Sequence, residues 1–144
     1  MANISIIYWS ETGNTEVMAE AIKEGIGSAG VDFLIKPVDE ATIDDVKDAD
    51  AVILGSPARG SDEIVDNIGD FLNEMESKGI TEKIAGAFGS HDWGSGKWMR
   101  DFIARLKKDG FDVFGEGLTA RLTPGAEEIE ECIDYGKRIA EKVK

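Results

Sequence analysis

Cysteine, proline and histidine are scarce in this sequence. Its 144 residues include one cysteine (Cys132), one histidine and 3 prolines. A single cysteine excludes an internal disulfide framework and a cysteine-rich metal site, and it suits a reducing compartment. No Lys or Arg precedes Lys23, so the basic start of a secretory signal is missing, and no apolar run approaches the ~18 residues that span a bilayer. We therefore expect a cytoplasmic protein without a membrane span.

Positive charge is also scarce. The chain has 16 Lys and Arg against 29 Asp and Glu, which gives a net charge of -13 at pH 7. Such a surface repels nucleic acids and anionic membranes, and it attracts basic proteins. Because 42% of the residues are hydrophobic and the length is close to the ~150 residues of one domain, we expect residues 1–144 to form a single globular domain and a monomer.

Apolar segments rich in β-branched residues alternate with segments of helical period along the whole chain. The pattern predicts strands at 3–8, 31–38, 51–55, 84–89 and 111–121. A break in the last strand, at Gly115 or Gly117, is left open. The helices are predicted at 14–28, around 68–75 and 98–106, and at 124–142, with a short helix or turn at 42–48. Strict alternation implies an α/β fold, a doubly wound five-stranded parallel sheet with helices on both faces. We expect the strand order 2-1-3-4-5.

Helical spacing also predicts which side chains enter the core. Trp98 is expected in the core, and Cys132 lies among apolar residues on one face of the closing helix, which indicates a packed, unreactive thiol. The buried face of the first helix is predicted to carry Val17, Met18, Ala21, Ile22 and Ile26.

Three loops follow predicted buried strands, at residues 10–15, 56–61 and 90–96. In doubly wound sheets, ligands bind outside the carboxyl ends of the strands, where the strand order reverses. In the order 2-1-3-4-5 these loops are neighbours. The sequence therefore predicts that they line one binding cleft.

The first of these loops has the features of a phosphate site. It is small and opens a helix, so its backbone N–H groups and the hydroxyls of Ser10, Thr12 and Thr15 can converge on an anion. It contains no Lys or Arg, which favours one compact phosphate held by neutral donors over a triphosphate with its metal. The alternative is a loop that only caps the helix after a tight turn.

Other nucleotide and phosphate signatures are absent. Gly96-Lys97 is followed by Trp98 and lacks the earlier glycine of a P-loop, and no G-x-G-x-x-G follows the first strand. Tyr8-Trp9 and Leu54-Gly55 stand where a phosphoacceptor receiver domain needs acidic residues. No catalytic triad, metal cluster or pair of general acids is visible in the sequence.

Trp93 lies in the third loop, beside Gly94 and near Gly96. An indole on a flexible loop above a phosphate site can stack on a flat aromatic ligand, a contact worth ~0.5–1.5 kcal/mol beyond area burial. The alternative is that Trp93 packs on the protein itself, and the loop alone leaves both open.

Two sequence motifs coincide with the first and third loops. The sequence reads Tyr8-Trp9-Ser10-x-Thr12-Gly13-Asn14-Thr15 at the first and Phe88-Gly89-Ser90-x-x-Trp93-Gly94-x-Gly96-x-Trp98-Met99 at the third. In both motifs, and from Ile4 to the closing helix, the chain resembles the short-chain flavodoxins, most of all the clostridial type. The resemblance implies a flavodoxin-like three-layer α/β/α domain that binds one FMN non-covalently. It also implies a low-potential one-electron carrier, shuttling between semiquinone and hydroquinone to serve redox enzymes.

The resemblance implies a role for each loop. The first loop would hold the FMN phosphate through its hydroxyls, Asn14 and the Gly13 backbone, while Glu11 points outward. Residues 56–61 would cover the inner face of the ring, with the Gly60–Ser61 peptide reorienting on reduction. Trp93 would stack on the outer face, and the backbone at 89–93 would meet the pyrimidine edge. The implied FMN-binding residues are Ser10, Glu11, Thr12, Gly13, Asn14, Thr15, Ser56, Pro57, Ala58, Arg59, Gly60, Ser61, Gly89, Ser90, His91, Asp92, Trp93 and Gly94.

The sequence departs from the family pattern at three places. Arg59 stands where close relatives have Met, and its guanidinium either stacks on the ring and raises the potential or points into solvent. Ser61 replaces an acidic residue found in some relatives, which removes a nearby repulsion. His91-Asp92 replaces the usual Tyr-Gly, and we expect His91 to be a solvated loop residue rather than a redox-linked proton site.

The resemblance implies an electron-transfer protein rather than an enzyme. Its partners would be basic redox enzymes, such as ferredoxin- or flavodoxin-linked reductases and oxidoreductases, in transient complexes. Two alternatives stay open. One is an FMN-dependent NAD(P)H:quinone reductase on the same fold, and the other is a binding module that has lost the flavin.

Overall fold

The computed structural model describes residues 3–60 and 62–144 and alternates strands with helices. The strands are β1 (Asn3–Tyr8), β2 (Asp32–Pro37), β3 (Ala51–Gly55), β4 (Ile84–His91), β5 (Asp112–Val113) and β6 (Leu118–Arg121). The helices are α1 (Asn14–Ser28), α2 (Asp44–Lys47), α3 (Asp66–Ser77), α4 (Lys97–Lys108) and α5 (Ala126–Val143), with a 3-10 turn at Val38–Glu40. The predicted bounds of β1, α1 and β3 are confirmed to the residue.

The strands form one parallel sheet in the order β2-β1-β3-β4-β5, which confirms the predicted topology. The predicted last strand is divided, because β5 and β6 both pair with β4 at different heights. The break spans both candidate glycines: Gly115 and Gly117 have φ of 72° and 92°, a left-handed backbone that no strand continues through.

Apolar residues cover both faces of the sheet. On one face, side chains of α3 and α4 such as Phe71 and Phe102 pack on the sheet, and on the other face α1 and α5 do so through residues such as Ile22 and Ile139. Every residue of β3 is buried, as expected for a central strand covered on both sides. The predicted burial of Trp98 and Cys132 is confirmed, since each is 1% exposed. Burial raises the pKa of the Cys132 thiol to about 12, which leaves it un-ionised and unreactive.

Helices α1 and α5 approach each other through two glycines. A Cβ on Gly25 would overlap the backbone carbonyl of Ile133, and a Cβ on Gly136 would overlap that of Ile22. The absence of side chains at both positions therefore lets the two helix backbones touch.

One predicted core residue is exposed. The prediction that Val17 shares the buried face of α1 is wrong, because its side chain is 40% exposed. The buried stripe runs through Met18, Ala21, Ile22 and Ile26 at the helical spacing, and Val17 lies at its edge, where it borders a surface groove with Phe33. Within the part of the chain that the structure describes, no helix is both long enough and apolar enough to cross a bilayer.

Candidate functional site

The structure brings all three predicted loops together at the carboxyl end of the sheet. Between them lies a cleft of about 170 Å³. Its lining residues are Glu11, Thr12 and Asn14 from the first loop, Pro57, Ala58 and Arg59 from the second, Ser90, His91 and Asp92 at the third, and Leu122 after β6. The cleft is smaller than the ~300–1,000 Å³ of most ligand pockets, so a ligand of nucleotide size would be held by part of its surface and would remain partly open to solvent.

The first loop presents backbone N–H groups that the described protein leaves free. Gly13, with φ of 94°, turns the chain into α1, and the Ser10 hydroxyl accepts a hydrogen bond from the N–H of Glu16 at 3.1 Å. Among the described residues, no acceptor receives a hydrogen bond from the backbone N–H groups of residues 11–15. Free N–H groups at a helix N-terminus form a binding site for an anion.

The hydroxyl of Thr15 is hydrogen-bonded within the protein. Thr15 is 1% exposed, and its Oγ1 lies 2.8 Å from Oγ of Ser90, which ties the start of α1 to β4. The predicted donors of the first loop therefore separate into two groups. Thr12 lines the cleft and the N–H groups of residues 11–15 have no acceptor among the described residues, whereas the Thr15 hydroxyl is hydrogen-bonded within the protein.

Two of the predicted site residues lie beneath the cleft. Ser56 is fully buried, and its hydroxyl donates to the carbonyl of Pro57 and accepts from the N–H of Val65. Its own carbonyl accepts a hydrogen bond from Trp98 Nε1 at 3.0 Å. A Cβ on Gly89 would overlap that same carbonyl, so the glycine lets β4 approach the second loop. Ser56 and Gly89 fix the backbone under the cleft, and the next residues of the second loop form its wall.

The Arg59 side chain is partly exposed and pairs with a surface carboxylate, and its stacking on a flavin ring stays a prediction. Its Nη2 lies 2.7 Å from Oδ1 of Asp66, the first residue of α3, in an exposed ion pair. Such pairs contribute only ~0–1 kcal/mol, so a ligand can compete with Asp66 for the guanidinium. Gly60 follows with φ of 34°, and Ser61 lies outside the described residues.

His91 belongs to strand β4, so the prediction of a solvated loop residue is wrong. The strand continues two residues past its predicted end because β6 pairs with it, His91 opposite Arg121. The imidazole lies 5.0 Å from the Trp98 ring, and its Nδ1 is shielded from solvent without a hydrogen-bond partner among the described residues. This half-buried ring forms part of the wall of the cleft.

Trp93 stands on the exposed part of the third loop. Its side chain is 62% exposed, and it is not among the residues that line the cleft. Leu122, at 49% exposure, is the other large apolar side chain exposed at this edge. Leu122 lines the cleft, and Trp93 follows Asp92, which also lines it.

Sequence reasoning missed three residues of this region: Asp62, Asp66 and Leu122. Asp62 accepts hydrogen bonds from three backbone N–H groups at the start of α4. Burial alone would raise the pKa of its carboxyl, but these donors outweigh burial and hold the pKa below its usual value. No local pattern points from Asp62 to residues more than 30 positions later, and Leu122 joins the cleft only because β6 pairs with β4.

The fold and this cleft define the class of doubly wound α/β proteins that bind ligands at the carboxyl edge of the sheet. The sequence model of the flavodoxin family matches residues 6–136, and the chain is 41% identical over 139 residues to the flavodoxin of Clostridium beijerinckii, across 95% of this chain and 99% of that one. The chain belongs to the flavodoxin family.

Two further comparisons agree. The flavodoxin of Megasphaera elsdenii is 36% identical over 138 residues, across 95% of this chain and 98% of that protein. The solved structure of a flavodoxin from the domain Archaea superposes with a TM-score of 0.91 at 30% identity and covers 98% of both chains. Flavodoxins bind FMN, and this protein is an FMN-binding electron carrier.

The donor set of the cleft fits FMN. A single phosphate monoester can be held by neutral N–H donors without a metal, and the first loop offers such donors, which have no acceptor among the described residues. His91, whose Nδ1 has no hydrogen-bond partner among the described residues, lines the same cleft and offers a polar atom to the edge of a heterocycle.

Proposed function

We propose that one FMN lies across this cleft and that the protein serves redox enzymes as a low-potential one-electron carrier with no substrate of its own. The phosphate binds the N–H groups of residues 11–15, beside the side chains of Thr12 and Asn14. The ring lies between the second loop, at 57–60, and the third, at 89–94, with Trp93 against its outer face. The free N–H groups of the first loop, which meet no acceptor among the described residues, are the observation that carries this proposal.

The charge of the chain favours a low potential. When bound, FMN supplies the redox chemistry, and the protein supplies orientation, partial exclusion of water and a negative field. One protein charge ~10 Å away disfavours an added electron by ~0.4 kcal/mol at the dielectric of water. Because the net charge is -13, several such charges act together and reach ~1 kcal/mol after screening, or ~40 mV for one electron.

The shallowness of the cleft supports a carrier. A cleft of about 170 Å³ encloses only part of a nucleotide-sized ligand, which leaves the rest of the FMN accessible to a partner protein. In this proposal electrons leave through the exposed part of the cofactor. The same proposal makes the whole chain one FMN-binding domain, monomeric and cytoplasmic, whose acidic surface steers basic partners into short-lived complexes.

An anaerobic redox titration of the FMN-loaded protein, followed by visible absorption, tests the carrier function. We expect two separate one-electron steps, the second at clearly lower potential. A single two-electron step would contradict the proposal. Steady oxidation of NADH by the purified protein, with or without a quinone, would instead favour the reductase, and protein that does not bind FMN would favour a module that has lost the cofactor.

A further inference from the structure

Asp62 connects the second loop to the third. Its Oδ2 accepts hydrogen bonds from the backbone N–H groups of Ser95 at 3.2 Å and Lys97 at 3.1 Å, and its Oδ1 accepts one from Trp98 at 3.2 Å. The residue is buried. One carboxylate therefore receives donors from the end of the third loop and from the first turn of α4, which begins at Lys97.

The backbone of residues 94–96, which Asp62 holds, is not restricted by its own sequence. Ser95 stands between Gly94 and Gly96, whose φ angles are 106° and 84°, and glycine loses more backbone freedom on ordering than any other residue. The carboxylate also packs against Gly94, where an added Cβ would lie 2.9 Å from Oδ2. Hydrogen bonds to an ionised carboxylate are stronger than neutral ones, so Asp62 can offset the freedom of both glycines.

Trp93 lies between two residues whose backbone is hydrogen-bonded to side chains, Asp92 and Ser95. On its amino-terminal side, Arg121 Nε donates a hydrogen bond to the carbonyl of Asp92 at 3.2 Å. On its carboxyl-terminal side, the N–H of Ser95 is held by Asp62, and the Ser95 carbonyl accepts from Arg100 Nη1 at 2.7 Å. The exposed indole has a fixed backbone on both sides even though the described protein does not cover it.

We propose that Asp62 is a positioning residue that presets the third loop for FMN. It acts through the backbone of residues 94–98 and places Trp93 over the cleft before the cofactor arrives, which lowers the ordering cost of binding. This inference rests on the proposed function, because it takes the ring of FMN to be the group that Trp93 meets.

The variant Asp62→Asn tests this role with little change in shape. Asp62 has φ of 62°, a conformation that Asn adopts readily, so the turn is preserved. An amide has one accepting oxygen, and its NH2 group would face N–H donors that now lack a partner. The matched control is Asp101→Asn, which removes the same charge from α4, where Asp101 pairs with the Lys97 side chain on the surface.

Two measurements on these variants separate the role of Asp62 from a general loss of stability. In the apoprotein, amide exchange of Ser95, Lys97 and Trp98 should be about tenfold faster in Asp62→Asn, with upfield shifts of those N–H resonances, and FMN should bind about tenfold more weakly. Asp101→Asn should match the wild type in both. Gly94→Ala, which crowds the carboxylate from the loop side, should reproduce both effects and serves if Asp62→Asn does not fold.

The outcomes distinguish this proposal from the function on which it rests. Unchanged amide exchange in Asp62→Asn would overturn the positioning role while leaving the carrier function intact. Faster exchange with FMN affinity equal to that of the control would also overturn it, because the contact would then be only structural. Wild-type protein that fails to bind FMN while its three amides remain protected would overturn the proposed function.

Discussion

Polar side chains at the cleft differ in whether they are already hydrogen-bonded within the protein. The hydroxyls of Thr15 and Ser56 are bonded inside the protein, whereas the side chains of Thr12 and Asn14 have no hydrogen-bond partner among the described residues. The first pair stabilises the loops, and the second pair is left for a ligand. Substitutions at the first pair should therefore change folding as well as affinity, and those at the second pair should change affinity alone.

Trp93 offers the simplest test at this scale. Trp93→Ala should weaken FMN binding by about 1 kcal/mol, because stacking on the ring is lost. Trp93→Phe, which keeps an aromatic ring, should bind nearly as well as the wild type. Affinities from flavin fluorescence decide the matter, and equal affinity for all three proteins would place the indole away from the cofactor.

Arg59 adds a positive charge at the wall of the cleft. Arg59→Met should lower the potential of the second electron, because one positive charge ~10 Å away stabilises the added electron by ~0.4 kcal/mol, or about 20 mV. Asp66→Asn, which frees the guanidinium from its ion pair, should shift the potential in the opposite direction. Redox titrations of both variants measure these shifts, and shifts of the same sign would contradict the proposed effect of the Arg59 charge.

At the scale of elements, the helix pair α1 and α5 depends on its glycines. Gly136→Ala should lower the free energy of unfolding by about 1–3 kcal/mol, because a Cβ there overlaps the Ile22 carbonyl and the helices must separate. Gly27→Ala on α1 is the control: its Cβ would meet only the Phe33 ring at 3.5 Å, and alanine favours the helix by ~0.5–1 kcal/mol. Urea denaturation should show the first variant destabilised and the second unchanged or more stable.

Hydrophobic period predicted the elements well where one face or both faces are buried. The bounds of β1, α1 and β3 follow from local pattern alone. The carboxyl end of β4 does not, because Ser90 and His91 become strand only through pairing with β6, nearly thirty residues later. The same long-range pairing decides that His91 is half-buried. The local sequence pattern does not predict long-range contacts of this kind.

The sequence predicted where the site lies, but it did not predict which residues hold the loops of the site in position. The three loops could be found from strand ends and strand order, since the carboxyl ends of parallel strands share one edge. The sequence could not predict which side chains of these loops support the fold and which are left for a ligand. Asp62 reads as an ordinary turn residue, and only the fold shows that it reaches the start of α4.

For the whole molecule, carboxylates with lowered pKa values link stability to pH. Burial alone would raise the pKa of Asp45, but the N–H of Thr42 and the ammonium of Lys36 outweigh burial and hold it below its usual value. Because the folded pKa lies below the unfolded one, this stabilisation is present above the unfolded pKa, ~3.9, and is lost as pH falls through the folded pKa.

Asp45→Asn makes this linkage measurable. The variant should be less stable than the wild type at pH 7, and the difference should shrink as the pH falls below ~4, where Asp45 of the wild type takes up its proton. Denaturation at several pH values provides the comparison, with Asp44→Asn as an exposed neighbour that should show no such trend. A difference that stays constant down to pH 3 would exclude Asp45 as the source.

The most direct test of the FMN site is a titration of the apoprotein with FMN, followed at each backbone amide by NMR. We predict saturation at one FMN per chain, with the largest shifts at residues 11–15, 58–60 and 89–94 and small ones elsewhere. Largest shifts at the groove beside Val17 and Phe33, or no saturable shift at the first loop, would contradict the proposed site.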